Sequence, residues 1–175
     1  SDPRVWEAGE NIFTASDSDA RRVALLAKYF ANKGMHQGVV LHNEESIVSR
    51  STATEFIDAF TKGGGQILQS LAYDESSTNM NALLEKIREI PAEFVFLAEY
   101  RIDIVENVCH RMRAMGIRLP VGTQTVVWSE NPLLHAGPDM EGIITTTYFH
   151  PDVPQPQVAE FVQKFSMEFG RLRPS

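Results

Sequence analysis

Glu93-Phe94-Val95-Phe96-Leu97-Ala98-Glu99-Tyr100 is the stretch whose reading decides the fold. Its apolar residues run on without alternation, and the run ends abruptly at an acid and a tyrosine. A strand with one wet face alternates apolar and polar side chains. A continuous run therefore implies cover on both faces, as in a parallel sheet between helices. Upstream, Gly38-Val39-Val40-Leu41, ending at His42-Asn43, and the segment from Ile67 to Ala72 read as two earlier strands. Downstream, Leu119-Pro120-Val121-Gly122 and Gly142-Ile143-Ile144-Thr145-Thr146 read as two later ones.

Helical spacing fills the gaps between these strands. Val23, Leu26, Ala27 and Phe30 form one apolar stripe, preceded by the capping residues Ser16-Asp17-Ser18-Asp19 and stopped at Gly34. Ala53, Phe56, Ile57 and Phe60 form a second, stopped by Gly63-Gly64-Gly65. Ser76-Ser77-Thr78-Asn79 caps a third, with Met80, Leu83, Leu84 and Ile87 inward and Pro91 as its end. Asp103 is expected to cap a fourth, bearing Val105, Val108, Met112 and Met115 up to Gly116. A helical turn is expected near Pro132-Leu133-Leu134. After Pro151, Pro154 and Pro156, a last helix is expected to turn Val158, Phe161, Val162 and Phe165 inward. Strict alternation of strand and helix implies right-handed crossovers. The expected fold is a three-layer α/β, doubly wound parallel sheet of about five strands in the order 2-1-3-4-5, helices on both faces. Glu93 to Tyr100 is then the central strand.

The chain has 175 residues, 43% hydrophobic and 22% charged, enough for one domain with a substantial core. A formal net charge of −7 argues against nucleic acid or an anionic membrane surface as partner. No apolar stretch approaches the roughly 20 residues of a membrane span. Ser1-Asp2-Pro3-Arg4 lacks the charged-then-apolar layout of a signal peptide, and the chain is expected to be a piece of something longer. The lone Cys109 excludes an internal disulfide and any multi-cysteine metal site.

In an open parallel sheet, ligands bind outside the carboxyl ends of the strands. Those loops hold His42 to Ser46, Tyr73-Asp74, Glu99-Tyr100, Thr123-Gln124 and Thr147 to His150. Dinucleotide binding needs a glycine-rich turn after the first strand, where His42-Asn43-Glu44-Glu45-Ser46 places two acids instead. A phosphate-cradling P-loop is absent for the same reason. A phosphoacceptor domain needs an aspartate ending the third strand and a lysine ending the fifth, and neither is present. The five histidines are irregularly spaced, with His110 mid-helix and His36 ahead of a strand. Cys109 sits among apolar residues as a core thiol, no G-x-S-x-G elbow occurs, and Glu44 and Glu45 are sequence neighbours that point apart. No catalytic residue, metal ligand or cofactor site is assigned. What remains is a polar and aromatic rim. Tyr100 offers a flat face and a hydroxyl for a small organic ligand. Gln124 can donate and accept without charge. Each also has a structural reading, Tyr100 as a cap on the core and Gln124 as a tie for its own loop.

The order of these motifs resembles the ligand-binding lobe of periplasmic binding proteins of the leucine/isoleucine/valine type, fold type I. The likeness runs from Asn11 to about Phe169. Asn11-Ile12-Phe13-Thr14 resembles the segment that crosses the hinge into the second lobe. Gly38-Val39-Val40-Leu41-His42-Asn43 is similar to that lobe's first strand, and Glu93 to Tyr100 to the strand that commonly reads D-x-V-x-x-x-x-Y. Met115-Gly116-Ile117 through Pro120-Val121-Gly122, and Glu141-Gly142-Ile143, resemble the openings of the next two strands.

The resemblance implies an opening and hinge-crossing segment at residues 1–15 and a single α/β lobe at 16–175 of a longer, bilobal protein. It implies that Tyr100 contacts ligand, with Gln124 where amino-acid binders often carry a glutamate and Ile47 near a position that is often tyrosine. Ser46 and Glu99 complete the expected set. Without that glutamate the obvious partner for a buried ammonium is missing. Glu99 and Glu44 are the substitutes at hand, and a neutral amide or an aromatic acid fits as well as an amino acid. The implied function is non-catalytic binding of a small amino-acid-like or related organic solute in an interlobe cleft, as the solute-binding component of an ABC transporter. The implied partners are the missing second lobe and an ABC permease, and the implied location is periplasmic or extracytoplasmic. A ligand-sensing domain of a receptor or regulator is the alternative, and an enzyme of flavodoxin-like topology a third.

Overall fold

Each crossover helix returns the chain to the same end of the sheet, so strands joined this way pair in parallel. The structure, a computed structural model, describes residues 19–74, 79–124, 137–147 and 150–170. Strands β1 (Gln37–Asn43), β2 (Gln66–Tyr73), β3 (Phe94–Ala98), β4 (Val121–Thr123) and β5 (Ile143–Thr145) form one sheet in the order β2-β1-β3-β4-β5. Every neighbouring pair is parallel, which bears out the expected topology. No described helix is long and apolar enough to cross a membrane.

The central strand shows why its sequence does not alternate. All five residues of β3 are 0% exposed. Phe94, Phe96 and Ala98 join one core layer with helices α1 (Asp19–Asn32) and α2 (Ile47–Lys62). Val95 and Leu97 join the opposite layer with α3 (Met80–Glu89) and α4 (Ile102–Ala114). The stripes expected of α1, α3 and α4 are buried as read, save that Met115 is only partly covered. In α2, Ala53, Phe56 and Phe60 are buried and Ile57 half-buried. The α1–α2 layer is an aromatic stack, with Phe96 on Phe56 at 3.8 Å between ring centroids and Phe94 on Phe30 at 4.0 Å. Two glycines make room for it. A Cβ at Gly38 would stand 2.3 Å from the Phe94 ring, and one at Gly122 2.7 Å from the Phe30 ring.

The acids that bracket the opening stretch lie outside β3. Glu93 accepts the backbone N–H groups of His36 and Gln37, tying the start of β3 to the start of β1. Those two bonds hold its carboxyl below the usual range.

Two expectations need correction. Asp103 is not the cap of α4. The cap position is Arg101, and Asp103 lies in the first turn, its carboxyl 2.9 Å from the Arg101 guanidinium. There it still suits the positive end of the helix dipole. The last helix, α5 (Pro156–Phe169), buries none of its residues. Phe161 is 48% exposed, and Phe165 packs along the helix against Phe161 and Phe169 in tilted pairs, 5.9 and 4.7 Å between ring centroids. An apolar stripe marks the face that seeks cover but not the element that supplies it. The expectations for residues 1–18, 76–78 and 132–134 lie outside the described residues.

Candidate functional site

The carboxyl edge of the sheet is held by hydrogen bonds that run from strand to strand. At the end of β1, the Asn43 side chain accepts the Glu45 N–H at 2.9 Å, which turns the chain toward α2. Ser46 caps α2 by accepting the Ser49 N–H at 3.2 Å. The Ser49 hydroxyl, 1% exposed, accepts the Asn43 N–H at 2.8 Å and donates to the Ala98 carbonyl at the end of β3. One buried hydroxyl thus joins β1, α2 and β3.

Glu99 is neither a solvated acid nor an unoccupied one. It is 3% exposed, and three donors converge on its carboxyl group. Oε2 accepts the Tyr73 hydroxyl at 2.8 Å. Oε1 accepts the backbone N–H groups of Tyr100 at 2.8 Å and Arg101 at 3.0 Å. All three partners donate, and these bonds offset the cost of taking the carboxyl group out of water. Its carbonyl accepts the Thr123 hydroxyl at 2.8 Å, linking β3 to β4. The Glu44 N–H donates to the Tyr73 carbonyl at 2.9 Å, closing the edge between β1 and β2.

Tyr100, the next residue, is 51% exposed, so successive residues turn in opposite senses. Gln124 is buried, with its side-chain amide nitrogen donating to Thr52 of α2 and its backbone carbonyl accepting the Thr145 hydroxyl at 2.9 Å. Its side chain thus ties the end of β4 to α2. Ile47 opens α2 at 66% exposure beside Val48 at 46%, and Ser46 is half-buried. The predicted residues accordingly fall on one edge but divide in character. Tyr100 and Ile47 present apolar surface, while Glu99, Gln124 and Ser46 are engaged with backbone or helix.

Sequence reasoning placed Asn43, Tyr73 and Thr123 in the strand-end loops without giving them a role, and missed Ser49 and Thr52. Ser49 and Thr52 left a signal, since they are polar residues preceding Ala53 and Phe56 on the inward stripe of α2. Tyr73 left none, because a tyrosine at a strand end reads as loop.

Groups off this edge have other roles. Burial depresses the protonation of half-buried His42, against an opposing pull from Glu44. Burial also pushes the Cys109 thiol up to about 11, as expected of a core cysteine. His110 pairs with Asp139 at 2.7 Å. Among the described residues, no group of three or more His, Cys, Asp or Glu could hold a metal ion. A hollow of about 670 Å³ lies between α1 and α2, lined by Ala24, Lys28 and Asp58 among others, and does not touch the predicted residues.

A search of curated proteins finds no match. Solved structures do match the fold. An ABC transporter substrate-binding protein from Desulfitobacterium hafniense superposes with a TM-score of 0.82 at 22% identity, over 99% of this chain and 49% of its own. A structure of an ABC transporter substrate-binding protein from the same organism, in complex with Leu, gives 0.81 at 20% identity over the same shares. A solute-binding protein of an ABC transporter from R. palustris, in complex with benzoate, gives 0.71 at 15% identity, over 94% of this chain and 44% of its own. The chain thus spans about half the length of the structures it matches. The sequence profile described as periplasmic binding protein matches residues 1–175. With the expected strand order observed and the profile matched from end to end, this chain belongs to the periplasmic binding protein family.

Proposed function

We propose that this lobe forms one wall of an interlobe cleft that binds a small amino-acid-like or related organic solute without transforming it. The carrying observation is the carboxyl edge itself, where exposed Tyr100 and Ile47 stand on a network that has already fixed their backbone. Such preorganisation lowers the ordering cost of binding. Tyr100 supplies an aromatic face, and the amino end of α2 at Ser46 and Ile47 favours an anionic or electron-rich group. Gln124, buried with its amide on Thr52, shapes the rim from beneath, and Glu99 acts through Tyr100. The occupants of two matched structures, Leu and benzoate, share a carboxylate and an apolar body, and that pair of features is the solute class assigned here.

The protein serves as the solute-binding component of an ABC transporter, in the periplasm or otherwise outside the cytoplasm, with a permease as partner. The second wall comes from the other lobe of a bilobal protein. The matched structures, about twice as long as this chain, support that reading, and so does α5 with no buried residue. The test is calorimetric titration of the full-length protein with L-leucine, benzoate and their amides. Saturable binding of a carboxylate, weakened about tenfold or more by Tyr100→Ala, upholds the reading. No binding by any of the four, or turnover of a bound solute, overturns it.

A further inference from the structure

We infer that Glu99 is a positioning residue for solute recognition, acting through Tyr100 and held in turn by Tyr73. The inference rests on the proposed binding role of Tyr100. It begins from an oddity of placement: an acid 3% exposed at the mouth of a cleft, where a solvated side chain would cost nothing. The burial has a consequence for its neighbour. Glu99 Oε1 takes the N–H of Tyr100 at 2.8 Å and of Arg101 at 3.0 Å, so the peptide units on both sides of the Tyr100 side chain are pinned to one oxygen. A 51% exposed tyrosine has few side-chain contacts to orient it, and its direction is set by its backbone.

The other oxygen fixes the carboxyl group itself. Tyr73 comes from β2, two strands away in the sheet order, and its hydroxyl reaches Oε2 at 2.8 Å from a side chain 1% exposed. The Thr123 hydroxyl holds the Glu99 carbonyl at 2.8 Å from the other side. The orientation of Tyr100 is therefore tied to both halves of the sheet. Three of the roughly four acceptor sites on the carboxyl group hold protein donors, and at 3% exposure it offers a ligand cation little surface for direct pairing.

The experiment combines amide hydrogen exchange with a double-mutant cycle in the full-length protein. Exchange at Tyr100 and Arg101 is followed in wild type, Glu99→Gln and Tyr73→Phe, with Phe96 as a core reference. Affinities for L-leucine and benzoate are measured for each variant, alone and combined with Tyr100→Ala. Expected are faster exchange at Tyr100 and Arg101 with Phe96 unchanged, and about a tenfold loss of affinity that shrinks to under about twofold when Tyr100 is already alanine. An affinity loss of equal size with and without Tyr100 overturns the inference, because it marks a direct contact or a general loosening. Unchanged exchange at Tyr100 and Arg101 in both variants overturns it as well. Tyr73→Phe keeps the test decisive should Glu99→Gln fail to fold. If neither probe binds the wild type, the solute-binding reading falls separately, and the exchange rates alone decide whether Glu99 sets the Tyr100 backbone.

Discussion

Replacing Ser49 by alanine removes one oxygen and breaks the joint between β1, α2 and β3. The hydroxyl serves two backbone groups that have exchanged water for it, the Asn43 N–H at 2.8 Å and the Ala98 carbonyl. At 1% exposure the site admits no replacement water without rearrangement. Leaving a buried donor or acceptor unsatisfied costs about 1–3 kcal/mol each, so two together cost roughly 2–6 kcal/mol. Alanine returns about half a kcal/mol through its higher helix propensity. The net expectation is a loss of about 3 kcal/mol, a large share of the roughly 5–15 kcal/mol that holds a domain folded. At roughly 2–4 °C per kcal/mol for a chain of this size, Tm falls by about 6–12 °C.

The control lies on the same helix. Thr54 donates its hydroxyl to the Arg50 carbonyl at 3.0 Å, but in an exposed position. Thr54→Ala gains similarly in helix propensity, while water replaces the lost bond, so its effect stays within about 0.5 kcal/mol. Urea unfolding followed by circular dichroism measures both, with unchanged slopes confirming that stability alone has moved. A difference between the two variants of less than about 1 kcal/mol would refute the claim that the Ser49 hydroxyl holds the carboxyl edge together.

Further outcomes follow from other parts of the molecule. Gly122→Ala drives a methyl to 2.7 Å from the Phe30 ring and destabilises by about 1–3 kcal/mol in the same unfolding assay. The Cys109 thiol, raised by burial from 9.0 to about 11, stays unreactive toward a thiol reagent at pH 8 and is labelled no faster than the protein unfolds. Its linkage has a definite sign: the folded state holds the proton more tightly, so this group's contribution is intact below pH 9 and is lost as pH rises toward 11. His42 has the opposite dependence. Burial lowers its folded pKa below 6.5, the unfolded state takes up the proton first, and stability falls as pH drops below 6.5. Replacing His42 by glutamine flattens that part of the stability–pH curve.

The fold was legible because its signals are redundant. A strand buried on both faces must be apolar throughout, and the flanking helices bury one stripe each, so Phe94 to Ala98 and the stripes of α1 to α4 report the same architecture independently. α5 escaped the reading for a physical reason: an apolar stripe marks the face that seeks cover, but periodicity carries no information on what supplies it. Asp103 illustrates a local ambiguity. An acid near a helix start favours both the cap and the first turn, and its pairing with Arg101 settled the choice. The site was harder. The exposure of Tyr100 could be anticipated because this topology opens the end of the central strand to solvent. The Tyr73–Glu99 bond joins residues 26 apart in sequence, and nothing local in either segment announces it.

What the structure adds is a division of labour along the edge. Side chains that bind backbone, such as Ser49, Glu99 and Thr123, are buried, whereas Tyr100 and Ile47 are exposed. Gln124 stands between the two groups. Its position resembles one where amino-acid binders often carry a glutamate, yet here a neutral amide donates to the neutral hydroxyl of Thr52 from a site 6% exposed. A carboxylate in that place could not make the donation, and its charge would need a cation to offset burial. The Gln124–Thr52 pair satisfies itself without one. The proposed cleft then has no need of an ammonium group on its solute, which sets aromatic acids on an equal footing with amino acids and places the proposed recognition on the Tyr100 face.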